Sequence, residues 1–86
     1  MDVNNTLKER GSNYGKYIDQ TKICKEFRDI IDKHKPVLAC DQEDALYMIV
    51  MKISRILNGK PDYTDNWLDI AGYATLVAKR LEGTCE

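Results

Sequence analysis

The sequence predicts an all-α protein, a small bundle of three main helices plus a short N-terminal helix. Apolar residues recur at three- and four-residue steps, strand-like alternation is absent over any useful length, and Gly and Pro fall where helices should stop. The first helix, over Val3–Glu9, is predicted to end at Gly11, because Gly11-Ser12-Asn13-Tyr14-Gly15 is rich in turn formers. Ile23, Phe27, Ile30 and Ile31 then set a second helix, which should stop before Pro36 because proline disfavours helical geometry at Lys35. His34 falls near that helix end, where a cation meets the negative pole of the dipole.

Asp41 is the expected N-cap of the third helix, with further acids in the first turn. Leu46, Ile49, Val50, Ile53, Ile56 and Leu57 trace a broad apolar stripe along it, and Asn58-Gly59 with Pro61 beyond supplies the stop. The fourth helix should begin at Thr64 or Asp65, with Asp65 a plausible cap, and bury Trp67, Ile70, Ala71, Ala74, Val77 and Leu81. Lys79, Arg80 and Gly83 mark its end. Gly72 inside that helix suggests a close approach by a backbone or a ligand.

The chain has 86 residues, enough for one domain over 1–86 but not for a large core. The stripe on the third helix is wider than so short a chain can cover, so a homodimer or higher oligomer is expected to complete the core. A net charge of -1 argues against broad contact with a nucleic-acid backbone. The longest apolar run, Ala45–Met51, is far too short for a membrane span, and the polar start Met1–Asn5 lacks the pattern of a secretory leader. Cys24, Cys40 and Cys85 are odd in number and lack metal-ligand spacing, which reads as reduced thiols in the cytoplasm.

The candidate site residues are Arg10, Tyr14, Lys52, Arg55, Asn58, Asn66, Asp69 and Tyr73. Lys52 and Arg55 share a helical face, and two cations beside a core call for an anion. That anion could be Asp65 or Asp69 within the chain, or a phosphate gripped by the Arg55 fork. Asn66, Asp69 and Tyr73 share a face of the next helix, and Asp65 lies one turn from Asp69, a spacing that could hold magnesium only with further ligands. Trp67, Tyr73 and Tyr14 could stack on a base, although Trp67 also fits a core position.

The run Lys52–Gly59, the segment Asp62–Leu76 and the upstream Arg10-Gly11 and Tyr14-Gly15 together resemble a family of short proteins of tailed bacteriophages and prophages. That family is distantly similar to the all-α nucleoside triphosphate pyrophosphatases of the MazG and dUTPase type. The resemblance implies helical dimers or tetramers that hold magnesium through an ExxE and an ExxD pair. Here Lys52 and Arg55 stand at the first pair, and Asn66 and Asp69 at the second, so no metal or cofactor is expected. The function expected is nucleotide binding without hydrolysis, as in sequestering a nucleotide-derived immune messenger in a host cell. A magnesium-dependent pyrophosphatase using Glu43, Asp44, Asp65 and Asp69 and an adaptor that binds a host protein through the apolar stripe are the alternatives.

Overall fold

Asp2 opens the first helix by accepting the Asn4 backbone N–H at 2.9 Å, satisfying one of the donors that every helix start leaves over. In the computed structural model, which describes residues 2–34 and 37–83, four helices follow in order. They are α1 (Val3–Tyr14), α2 (Tyr17–His34), α3 (Cys40–Asn58) and α4 (Thr64–Leu81). The all-α expectation therefore holds. None of the described helices is long and apolar enough to cross a membrane. Cys24 and Cys40 are free thiols, whereas Lys35, Pro36 and Cys85 lie outside the described residues.

α3 lies between α2 and α4, which do not touch each other among the described residues, so the three form a single layer. α1 rests on α2 and α3 only and buries none of its own residues. What fixes it is a knot at its C-terminal end. The Asn58 amide donates to the backbone carbonyls of Tyr14 and Lys16, both at 2.8 Å, and Lys60 N–H donates to the Asn13 carbonyl at 2.8 Å.

Several boundaries differ from the sequence reading, each for a local reason. α1 runs through Gly11 and Ser12 and stops only at Gly15, which adopts a φ of 78°. Gly11 can sit inside a helix at modest cost, but the left-handed backbone at residue 15 needs glycine. The N-cap of α3 is Ala39 rather than Asp41, with the Gln42 side chain accepting the Ala39 N–H at 2.9 Å. Asp41 is instead held by Arg80 through two hydrogen bonds, at 2.8 and 2.6 Å, which joins the start of α3 to the end of α4. The guanidinium keeps the Asp41 carboxyl below the usual carboxylate range. Asp65 does not cap α4 either: Tyr63 is the N-cap, and its hydroxyl donates to the Asp65 carboxylate.

The largest departure concerns burial. Trp67, expected in the core, is 55% exposed, with its indole N–H on the Pro61 carbonyl, and Leu81 is exposed as well. Among the described residues only Cys24, Ala45 and Val50 are buried apolar side chains. On α4 only Asn66 is buried; Ile70 and Val77 are half-buried against α3, while Ala71, Ala74 and Leu81 are exposed, so the stripe is only partly covered within the chain.

Two glycines make a paired prediction. A Cβ at Gly15 would meet the Asn58 carbonyl oxygen at 2.1 Å, and the backbone there is left-handed, so Gly15→Ala should cost roughly 1–3 kcal/mol and loosen α1. Gly72 was expected to mark a close approach, yet a Cβ there meets nothing within 4 Å. Gly72→Ala should therefore stabilise the helix by about 0.5–1 kcal/mol, the intrinsic helix-propensity difference. Urea melts of both variants check the opposite signs.

Candidate functional site

The residues singled out in the sequence divide between two places. On the α3–α4 side, the Lys52 ammonium meets the Asp69 carboxylate at 2.9 Å. Lys52 is only 8% exposed, so its charge needs that partner. Of the two readings of the pair, the internal salt bridge describes Lys52. Asp69 and Tyr73 line a shallow depression with Leu68, Gly72 and Leu76, well apart from Arg10 and Tyr14. Asn66 is 1% exposed, and neither end of its amide finds a hydrogen-bond partner, at a cost of roughly 1–3 kcal/mol. Asn58 serves the backbone knot already described.

Arg55 behaves differently from Lys52. No carboxylate pairs with it among the described residues. Its guanidinium lies over the Tyr14 ring, with its central carbon 4.4 Å from the centroid, and its Nε is buried with no acceptor. Cation–π contact orients a guanidinium without consuming its hydrogen-bonding edge. Tyr14 is itself braced edge-on by Tyr63 at 5.7 Å.

Around Arg55, the faces of α1, α2 and α3 enclose two adjoining concavities that share Arg10, Tyr17, Gln20 and Arg55. The first, of about 480 Å³, is walled by Leu7, Tyr14 and Ile18, and is largely apolar and aromatic beyond its cations. The second, of about 370 Å³, adds Thr21, Lys25, Arg28 and Met51 and is richer in polar surface. Volumes in this range suit small organic ligands. The structure thus brings Arg10, Tyr14 and Arg55 together, and leaves Lys52, Asn66, Asp69 and Tyr73 out of this groove.

The α2 contribution went unseen in the sequence reading. Tyr17, Thr21, Lys25 and Arg28 step by four and three residues, which places one polar face on α2 opposite its Ile23–Phe27–Ile30 flank. That periodicity could have found them. Arg28 stacks on the Tyr47 ring at 5.3 Å, while the Tyr47 hydroxyl donates to Asp32. Lys25 is paired with Asp29, whose carboxylate raises the Lys25 pKa and keeps it cationic.

Among the described residues no three His, Cys, Asp or Glu side chains converge closely enough to hold a metal ion. Asp65 is engaged by Tyr63 and Asp69 by Lys52. The magnesium set implied by the pyrophosphatase resemblance does not fit these residues. A family model described as a domain of unknown function, DUF6378, matches residues 3–81. The chain belongs to the DUF6378 family. The match spans all four helices, so both the groove and the Lys52–Asp69 pair lie within the DUF6378 domain. No curated protein and no solved structure gives a significant match to the chain.

Proposed function

We propose that this DUF6378 protein binds a nucleotide-derived small molecule in the groove between α1, α2 and α3 and holds it without turnover. The observation that carries the reading is the state of Arg55: a guanidinium oriented by Tyr14, with a buried Nε that lacks an acceptor, at the wall shared by two concavities. A phosphate in either concavity would meet the guanidinium at the edge that lines them, the Nε itself being closed to solvent, and a planar guanidinium suits oxyanions. Arg10 supplies a second cation, and Tyr14, Tyr17 and Leu7 supply the surface on which a base or sugar would rest. Binding rather than hydrolysis is favoured because Asp65 and Asp69 are committed to Tyr63 and Lys52.

In the setting that the phage-protein resemblance implies, the host cytoplasm, the ligand would be a nucleotide-derived immune messenger and the protein a homo-oligomeric sink for it. A thermal-shift panel of nucleoside phosphates, cyclic dinucleotides and ADP-ribose, each with and without magnesium, tests the reading. A ligand present at ~100 times its Kd adds about 2.7 kcal/mol to the folded state, which raises Tm by several degrees or more. The expected result is such a rise without magnesium for at least one phosphate-bearing compound and for none of the matching nucleosides. No shift from any compound would sink the proposal, and magnesium-dependent release of pyrophosphate would replace it with an enzyme.

A further inference from the structure

The same layer of helices has a second broad face, and the two faces differ in chemistry. On α3, Leu46, Ile53 and Leu57 are spaced by seven and four residues and so share one side of the helix, while Met51 and Arg55 point into the cationic groove on the other. On α4, Ala74 joins Leu38, Ala45, Leu46 and Ile49 in an apolar furrow of about 340 Å³. On α2, Ile23 and Ile30 flank the side away from Thr21, Lys25 and Arg28. Leu46, Leu57, Ile30 and Leu81 are all exposed there.

We infer that this apolar face of the α2–α3–α4 layer is covered by a second copy of the chain, packed face to face. Three quantities agree on the occupant. The accessible surface is 6250 Å², whereas a compact chain of 9.9 kDa exposes about 5,200 Å². The excess of about 1,000 Å² is shared with α1 and the outer side of α4, and it leaves room for the roughly 800 Å² that one partner contributes to a standard interface. The radius of gyration is 14.6 Å against about 12 Å for a compact domain of this length. With Cys24, Ala45 and Val50 as the fully buried apolar residues among those described, a cover present throughout the folded state would complete the core. An identical copy meets that requirement, and a two-fold contact uses one self-complementary patch. The cationic grooves then face outward on both sides of the dimer.

Sedimentation and disulfide trapping test the inference. The native chain should sediment at twice 9.9 kDa at micromolar concentration. Leu46→Glu should sediment at the single-chain mass or fail to fold, whereas Leu68→Glu, on the other side of α4, should keep the dimer. Because the first variant can lose its fold, trapping provides the second measurement: with Cys24, Cys40 and Cys85 replaced by serine, Ile53→Cys should oxidise rapidly to a covalent dimer and Leu68→Cys should not. A native single-chain mass overturns the inference, as do a dimer that tolerates Leu46→Glu and a trapping pattern that favours position 68. Retention of single-chain mass with full helicity would leave the apolar face to a different protein partner.

Discussion

Replacing Asp69 by alanine should destabilise the fold by about 3–5 kcal/mol, because it strands the Lys52 ammonium in a buried position with no anion. Replacing Lys52 by methionine should cost far less and could raise stability. The two partners differ in exposure, with side chains 11% and 48% accessible, so Asp69 left alone can hydrate while Lys52 left alone cannot. A methionine also fills the volume of the lysine stem with apolar atoms. For a domain of this size each kcal/mol moves Tm by about 4–8 °C, so the Asp69 variant should melt at least ~12 °C lower. Equal losses at both positions would mean that the pair is worth its Coulomb attraction and little else.

Arg55→Ala should weaken ligand binding by about 1.5–3 kcal/mol, the usual worth of a hydrogen bond to a charged group, or roughly ten- to more than a hundred-fold in Kd. The fold should survive. The variant loses a cation–π contact of about 0.5–2 kcal/mol, and it also removes the orphaned Nε. Arg55→Lys should restore only part of the affinity, since the charge returns without the bidentate fork. Calorimetric titration with the compound that emerges from the thermal-shift panel measures both variants. Unchanged affinity in Arg55→Ala would place the ligand elsewhere, whatever the effect on Tm.

The fold class, the helix count and most of the helix cores were legible in the sequence because apolar periodicity and Gly/Pro punctuation act locally. The boundaries were less so. Gly11 resembled a stop, but the decision is made at Gly15, where α1 meets Asn58, a contact between residues far apart in the chain. Asp41 and Asp65 carry the right chemistry for caps, yet Arg80 and Tyr63 compete for them. The site was half legible. Lys52 and Arg55 share a helical face, but a three-residue step also rotates them by about 60°, enough for one to meet α4 and the other α1. Trp67 and Leu81 were expected in the core and are exposed, because apolar periodicity marks the face of a helix that avoids water without saying whether a neighbouring helix reaches it.

The way α1 is fastened has a kinetic consequence. It buries no residue and is held chiefly at its C-terminal end by Asn58, Lys60 and the Arg55–Tyr14 stack, so it is the segment of lowest local stability, and its amides should exchange with solvent far faster than those of α3. Leu7, Arg10 and Tyr14, all from α1, wall the larger concavity, so that concavity exists only while α1 is docked. Any ligand that rests there selects the docked population, and its apparent affinity is the intrinsic one multiplied by the docked fraction. Slower exchange along α1 in the presence of a bound compound would then report occupancy from backbone positions that the compound never touches.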